Sequence, residues 1–329
     1  MAAGTVSNFT LRREEFDAGL IEALDQKVDL FNGMSLGTIR LVTRRLLGDY
    51  ASTRFFERMS GIISRRDDTS IADVSDIPLG MGDRISPKLK RRVGPIAQTL
   101  DALRQIGGDE SEISFILGQQ LGGEIPQDYL NTLLSAGVAA LGQETGAGGL
   151  VKDATDGTLQ HIDLIGGLSA MGDSANAVRA WVMHSKPFYD LMGESLTVAS
   201  GNIAGMTVYE GAVGTVGRPV FVTDSPALVV ADGVAADVDK YVTLGLTAEA
   251  LVATESEGRT MVADTITGKE NLIVRFQGEH AFTVDVKGYG WDVANGGRNP
   301  ADAALATGSN WDALYASNKQ KAGVVIESR

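Results

Sequence analysis

Apolar residues at helical spacing mark the first predicted element, close to the N-terminus. Over residues 11–31 they fall on one face of a helix, at Phe16, Leu20, Leu24, Val28 and Phe31. Thr10 can cap this helix, and the acidic residues of its first turn favour the positive end of the helix dipole. We therefore predict an amphipathic helix over 11–31, followed by a second short apolar element over 39–47.

Between residues 50 and 96 the pattern changes from helical to extended. The strand-like stretch TRFFERMSGIISRRDD is followed by the turn-rich TSIADVSDIPLGMGD and by the basic, extended segment ISPKLKRRVGP. This order predicts a long two-stranded ribbon with an irregular tip, and a disordered surface loop of the same length is the alternative. A two-stranded ribbon is marginally stable alone in water, so we expect a neighbouring subunit to support it.

Helical periodicity returns after the ribbon. We predict helical segments over 96–106, 110–122 and 126–143. The last two can form one long helix with a kink near Gly122-Gly123, and Pro126 fits the first turn of its second part.

The rest of the chain mixes helix and strand. The stretch SANAVRAWVMHSK predicts a helix that stops before Pro187, because proline disfavours helical geometry at the residue before it. From Leu196 to Trp291 short strands separated by glycine, acidic and amide turns dominate, and the tail ends in a short helix, a turn and the strand VVIE. These elements together predict an α+β fold.

Composition narrows the classes of function. The formal net charge is −13, and the negative charge lies in residues 101–329, with 14 Lys and Arg against 29 Asp and Glu, whereas residues 1–100 are slightly basic. Such a chain is a poor nucleic-acid binder, because that affinity comes largely from neutralising phosphates. There is no cysteine, which excludes disulfides, thiolate nucleophiles and cysteine-ligated metals and suits a reducing cytoplasm. Neither a membrane-spanning run nor a secretory signal is recognisable.

The strongest candidate for catalysis is His184 beside Ser185. On the predicted helix these neighbours point about 100° apart, so packing explains them better than a nucleophile and its base. His161 and His280 stand alone in the sequence, without the spacing of a zinc site. Phosphate-binding, dinucleotide-binding and nucleophile-elbow motifs are also missing. We therefore predict no catalytic, cofactor-binding or metal-binding residue.

Two basic clusters are the candidates for contacts with other molecules. A solvated face explains them, and so does salt bridging to an acidic neighbour, whereas nucleic-acid binding would need interleaved aromatic residues and a basic domain. We predict inter-subunit contacts for six residues: Arg65, Arg66, Lys88, Lys90, Arg91 and Arg92.

Several stretches, in this order, resemble the major capsid proteins of tailed bacteriophages, which have the Hong Kong 97-like fold. They are VGPIAQTLDALRQIG, PQDYLNTLLSAGVAAL, AMGDSANAVRAWVMHSKPFYDLMGESL, GRPVFVTDSPAL, KGYGWD, NPADAALATGSNWD and KAGVVIES. The resemblance covers roughly residues 50–329 and rests on order and spacing, since no single motif is diagnostic. Within this group the chain looks like the shorter, podovirus-type subunits that have no cleaved scaffold extension.

The resemblance implies a subunit with five consecutive parts. These are an N-terminal arm (1–48), an extended loop formed by the β-ribbon (49–96), a peripheral domain with a spine helix (97–159), an axial domain (160–290) and a return to the peripheral domain (291–329). Some members of the family connect the peripheral strands in a permuted order, so this connectivity stays open.

The function implied is a major capsid protein that self-assembles into the hexamers and pentamers of an icosahedral head around double-stranded DNA. Assembly in the host cytoplasm and a final place in the virion follow. The implied partners are other copies of the chain and scaffolding, portal and cement or decoration proteins, with only weak, non-specific contact to packaged DNA and no membrane. An encapsulin-type compartment shell is the alternative, and a soluble hydrolase using His184 or a carboxylate pair is less favoured.

Overall fold

The computed structural model describes residues 32–33, 35–46, 48–56, 62–66, 68–77, 80–99, 110–146, 148–200, 217–230 and 240–329. The helix predicted over 11–31 lies outside these residues. So does the helix predicted over 96–106, except for residues 96–99, which are the end of a strand and not helical. Two sheets and one long helix form most of the described part, and the predicted α+β fold class is confirmed.

The regular elements follow one another along the chain in mixed order. The strands are β1 (Ile39–Thr43), β2 (Tyr50–Phe56), β3 (Met81–Thr99), β4 (Val151–Ala154), β5 (Val178–Met183), β6 (Val220–Val222), β7 (Val229–Val230), β8 (Lys240–Thr247), β9 (Leu251–Ile266), β10 (Ile273–Val286), β11 (Tyr289–Trp291), β12 (Trp311–Ala313) and β13 (Gly323–Ser328). The α-helices are α1 (Glu110–Gly142), α2 (His161–Ser169), α3 (Ser185–Ser200), α4 (Val293–Gly296) and α5 (Asp302–Leu305). Short 3-10 turns lie at Gly172–Ala177, Pro226–Leu228, Gly308–Asn310 and Asn318–Gln320.

The first sheet joins strands that are far apart in sequence, in the order β1-β9-β10-β3-β2. β1 runs parallel to β9, with Ile39 opposite Leu251, and the other pairs are antiparallel. The long hairpin β9–β10 buries one row of side chains, among them Leu251, Ala253, Phe282 and Val284. Side chains of a strand alternate between the two faces of a sheet. A sheet with one face covered by the core therefore has an apolar row on that face and polar positions on the other.

The second sheet has the order β4-β13-β8-β5-β6, with β7 also paired to β8. Its central strands β8, β5 and β13 are buried along most of their length, including Leu244, Trp181 and Ile326. Strands covered on both faces lose the alternation of apolar and polar residues. A separate pair, β11 and β12, brings Trp291 and Trp311 together with ring centroids 5.0 Å apart.

Helix α1 connects the two sheets. It packs against β9 and β10 of the first sheet, and against β13 and the Pro226–Leu228 turn beside the second. Its inner face places Leu133, Leu134 and Leu141 fully inside the core. Just beyond its end, Glu144 Oε1 accepts a hydrogen bond of 2.5 Å from Nζ of the buried Lys321, which precedes β13. The helix and this ion pair make the two sheets parts of one core.

Two predicted features of the helices need correction. Residues 178–183 form the strand β5, which pairs with β8 on one side and β6 on the other and buries every side chain except Arg179. A short, mostly apolar run does not distinguish a covered strand from a helix. The helix begins after this run, at Ser185, so Pro187 lies in its first turn and does not end it. This helix also replaces the strand predicted from Leu196 up to Ser200. Pro126 lies inside the 33-residue helix α1, not in a first turn.

The predicted domain boundaries stay a prediction, and the sheets join strands from several of the predicted ranges. Strands β9 and β10 fall within the range 160–290 predicted as axial, yet they pair with β1 and β3 in the first sheet. Strand β13 was expected to return to the peripheral domain, yet it pairs with β4 and β8 in the second sheet. These are pairings between distant segments, which position along the chain does not reveal.

Gly245 lets three strands approach closely in the second sheet, and its replacement should destabilise the subunit. A Cβ atom on Gly245 would lie 2.5 Å from Trp181 Cζ3 and 2.8 Å from a methyl carbon of Val324, both in neighbouring strands. We expect Gly245→Ala to lower the free energy of unfolding in urea by about 1–3 kcal/mol, as overpacking does. Gly258→Ala is the matched control in a strand, because no atom lies within 4 Å of its Cβ position. Equal midpoints for the two variants would contradict this account.

Candidate inter-subunit surface

The predicted ribbon is present where the chain leaves the body of the subunit. β2 and the first residues of β3 pair antiparallel, from Tyr50 opposite Pro87 to Phe56 opposite Met81. From Lys88 onward β3 pairs instead with β10 of the first sheet. The ribbon is therefore an extension of a body strand, and the alternative of a wholly disordered loop does not hold for 50–56 and 81–87.

Beyond the ribbon, residues 62–66 and 68–77 form no regular structure, and we call these two segments the loop tip. Their aliphatic side chains have almost no cover: Ile63 is 95 %, Ile71 102 % and Val74 89 % exposed. Phe56 and Met81, at the last pair of the ribbon, are also largely exposed. Large aliphatic residues clustered in water mark an interaction surface in a soluble protein.

The six basic residues predicted to contact other subunits have different environments. Lys88 lies at the point where β3 changes partner, with a side chain 2 % exposed. Its ammonium group donates to Gly48 O at 3.1 Å, to Leu46 O at 3.4 Å and to Glu257 Oε1 at 2.5 Å. A lysine has three donors, and all three are used here within the chain. The hydrogen bond from Lys88 is also the main reason why the pKa of Glu257 is lowered.

Arg91 is likewise bound inside its own subunit. Its Nε donates to Asp128 Oδ2 at 3.1 Å, and its two terminal nitrogens bind both carboxylate oxygens of Asp302, at 3.1 and 2.7 Å. A further hydrogen bond of 3.1 Å reaches Thr132 Oγ1. The planar guanidinium suits such a fork-like arrangement. Arg91 thus ties β3 to helices α1 and α5.

The other four basic residues point into solvent. Lys90 has its Nζ 3.6 Å from the carboxylate of Asp49, and Arg92 is exposed on β3. Arg66 lies in the loop tip, with Nε 3.3 Å from Asp68 Oδ1, and Arg65 beside it is exposed. Contact with neighbouring subunits stays a prediction for all six basic residues, and the structure adds that Lys88 and Arg91 are also bonded within their own chain.

A buried histidine near Arg91 gave no signal in the sequence. His280 on β10 is 6 % exposed, and neither ring nitrogen has a hydrogen-bond partner in the part of the chain that the structure describes. Its ring stacks on Phe282 at 6.3 Å between centroids and lies 5.8 Å from Tyr129 of α1. Burial first, and then the nearby charges of Arg259 and Arg91, lower the pKa of His280 to about 4. The side chain is therefore neutral at neutral pH and acts as an aromatic core residue.

His184 and Ser185 do come close, contrary to the geometric argument from the sequence. Ser185 Oγ lies 3.4 Å from His184 Nδ1, and His184 Nε2 lies 3.5 Å from Asp224 Oδ1. The reason is that His184 precedes the helix. Its carbonyl accepts from Phe188 N, and its Nδ1 accepts from Lys186 N at 3.3 Å. These are the bonds of a helix cap, and they engage the nitrogen that a general base would need.

The described residues were also compared with the requirements of a metal site and of a membrane span. Among the described residues no group of three or more His, Cys, Asp or Glu side chains is placed to hold a metal ion. In the same part of the chain, no helix combines the length and the apolar character that spanning a membrane requires.

Comparison with known proteins gives a match to one family model and a set of similar solved structures. A family model described as "Gp13-like: Major capsid protein 13-like" matches residues 8–325. The capsid of cyanophage Pam1 is similar at 9 % identity and a TM-score of 0.51, over 88 % of each chain. The capsid of cyanophage P-SCSP1u is 12 % identical, with a TM-score of 0.47 over 89 % of this chain and 86 % of that one. Mycobacterium phage Bobi is 14 % identical, with a TM-score of 0.47 over 88 % of each chain. No curated protein matches the chain.

Lys88 should stabilise the root of the ribbon. We expect Lys88→Met, which keeps the apolar stem, to lower the free energy of unfolding in urea by about 2 kcal/mol, because it removes the three hydrogen bonds that the buried ammonium group makes to Leu46, Gly48 and Glu257. Lys90→Met is the matched control two residues away, where the side chain is 55 % exposed, and it should change stability by less than about 0.5 kcal/mol. A Lys88→Met subunit as stable as this control would show that water replaces the lost donors.

His280 should make the subunit less stable in acid. Its pKa is about 4 when folded, against an ordinary value of 6.5, so the unfolded chain binds the proton more readily. The contribution of His280 to the free energy of unfolding is therefore fully present above about pH 6.5. It falls as the pH drops towards 4, by at most about 3 kcal/mol. We expect His280→Leu to reduce this loss, measured by urea unfolding at several pH values. Phe282→Leu perturbs the same cluster without removing a titrating group and should keep the wild-type dependence. Parallel pH profiles for wild type and His280→Leu would refute the assignment.

Proposed function

The chain belongs to the major capsid protein 13-like family, and we propose that copies of it assemble into the hexamers and pentamers of an icosahedral phage head. A capsid protein of phage heads has its place in the virion, so this protein is a structural component of the particle. The family match extends over nearly the whole described body, including both sheets and helix α1.

The observation that carries the proposal for assembly is the uncovered loop tip. Burying one large aliphatic side chain stabilises by about 1.5–3 kcal/mol, and the tip presents several of them to water. Contact with a second copy would recover this free energy at every repeat of a symmetric shell. Many modest contacts repeated by symmetry can hold such a shell together.

The pairing of the strands supports a division into domains that differs from the linear boundaries. We assign the peripheral domain to the first sheet with helix α1, and the axial domain to the second sheet with helices α2 and α3. The extended loop is then 49–87, and the rest of β3 belongs to the peripheral sheet. The segment 1–48 keeps the assignment of an N-terminal arm, and its strand β1 joins the arm to the peripheral sheet by pairing with β9.

The surroundings of His184 favour a protein without catalytic activity. The contacts of His184 with Ser185, Lys186 and Phe188 are those of a helix cap, so a hydrolase has little support, and the family does not favour an encapsulin-type shell. Scaffolding, portal and cement or decoration proteins are further partners that we propose for this subunit. The net charge of −13 supports only weak, non-specific contact with packaged double-stranded DNA.

Purified full-length protein should form shells that depend on the loop tip. We expect the double variant Ile71→Ser with Val74→Ser to remain a folded subunit with wild-type unfolding midpoint, and to lose about tenfold or more in particle yield, since each lost contact removes part of the burial energy. Size-exclusion chromatography and negative-stain microscopy measure the yield. Ile162→Ser on α2 makes the same kind of change at another exposed aliphatic residue and serves as the control. Normal particles from the double variant would count against the role of the tip.

A further inference from the structure

A basic pocket lies beside the root of the ribbon. It has a volume of about 900 Å³ and is lined by residues of β1, β2, β3, β5 and β10 together with the turns that follow β8, β10 and β12. Five of its side chains are cationic: Arg40, Arg84, Arg179, Lys287 and Lys319. Only two are carboxylates, Glu249 and Asp285. This local excess of positive charge is opposite in sign to the net charge of the chain.

The carboxylates of the pocket are already used by its own cations. Arg40 pairs with Glu249, Arg84 pairs with Asp285, and Lys319 pairs with Asp173, which lies outside the pocket lining. Arg179 has no carboxylate within ion-pair distance among the described residues. Within the same part of the chain, Lys287 donates to two neutral oxygens, Thr247 Oγ1 at 3.2 Å and Ala248 O at 3.1 Å. The positive charge of these two residues is therefore available for an anionic group from outside the chain.

The two free cations also lie close enough to influence one another. Burial lowers the pKa of Lys287, the charge of Glu249 opposes this, and the charge of Arg179 lowers it further. Like charges held near each other in a partly buried place raise the local potential. An incoming carboxylate would relieve this repulsion.

One wall of the pocket is aromatic. Phe56 is 66 % exposed, and Tyr315 stands beside it, held by a ring contact of 5.3 Å with Phe55. A ligand that satisfies the whole pocket thus carries both negative charge and an aliphatic surface. Phosphate groups of DNA would match the cations but leave the aromatic wall uncovered.

The loop tip has this combination. Residues 68–77, DTSIADVSDI, contain Asp68, Asp73 and Asp76 and no basic residue. Ile71 and Val74 lie between these aspartates and make almost no contact with their own subunit. The 24 residues between Phe56 and Met81 allow the tip to extend by up to about 40 Å from the ribbon, far enough to meet another subunit.

We propose that the acidic part of the loop tip, 68–77, binds in the basic pocket of a second copy of this chain. The aspartates face Arg179 and Lys287, and the aliphatic residues cover Phe56. The inference rests on the proposed function and names the place on the neighbour where the tip docks. Complementary charge then fixes the position of one subunit on the next, and aliphatic burial supplies affinity.

Charge reversal on the two sides tests the pairing. A pocket variant carries Arg179→Glu and Lys287→Glu, and a tip variant carries Asp73→Lys and Asp76→Lys. We expect each alone to give at least about tenfold fewer particles than wild type, because like charges then face each other across the contact. Lys269→Glu with Arg275→Glu reverses two exposed charges in and beside the β9–β10 turn and should assemble as wild type does.

Mixing the two variants separates contact between subunits from contact within one. In an equimolar mixture every basic tip can meet an acidic pocket and every acidic tip a basic pocket on the other variant, so capsomers or particles should return. Rescue also shows that both variants are folded. Failure of the mixture to assemble, or wild-type yields from both single variants, would overturn the inference. So would a pocket variant that loses only binding to a DNA duplex. If the wild type and both variants all form particles, the docking inference fails and the proposed function stands. If the wild type forms no shell, both the inference and the proposed function are contradicted.

Discussion

One continuous strand, β3, belongs to both the ribbon and the body, and the position of the ribbon depends on it. Its 19 residues can extend about 60 Å, with the first part bonded to β2 and the rest to β10. A flexible connection would let the loop tip sample many directions and would lower its effective concentration at a neighbour. Because a hydrogen-bonded strand in the core sheet continues into the ribbon, the ribbon leaves the subunit in a defined direction. Lys88 fastens the strand where its partner changes, by bonding the backbone at Leu46 and Gly48.

The residues that stabilise the folded subunit and the residues left without contacts lie in different regions of the molecule. The core runs through both sheets and helix α1, and its buried polar groups are largely paired, as with Lys321 and Glu144. The loop tip has no such support, and its aliphatic residues face water. A subunit of this kind folds by itself and still gains free energy by associating. This separation explains why substitutions in the tip should change assembly and leave the unfolding midpoint unaltered, whereas substitutions such as Gly245→Ala should do the reverse.

Local sequence patterns predicted those elements whose formation depends on residues close together in the chain. The ribbon, the long helix and the final strand were predictable because turn residues, periodicity and length all agree there. Residues 178–183 were misread, because burial on both faces removes the alternation that identifies a strand. The parallel pairing of Ile39 with Leu251 joins residues that no local pattern connects, so the division into two sheets was out of reach. The basic pocket was also hidden, since its cations come from separate segments that only the folded sheets bring together.

The segment KLKRR shows how the fold decides which charges remain for a partner. As a peptide it is a uniform basic patch, which is how its sequence was interpreted. Within β3, Lys88 and Arg91 lie on opposite faces and both meet carboxylates of their own chain, while Lys90 and Arg92 face solvent. The cations that are bonded inside stabilise the subunit, because their removal breaks several hydrogen bonds to one cationic group. The cations that face solvent are screened by water and salt. They contribute to assembly only where a neighbouring subunit brings opposite charge. Recognition between subunits must therefore rely on cations that the chain leaves unpaired, and Arg179 and Lys287 at the root of the ribbon are in that position.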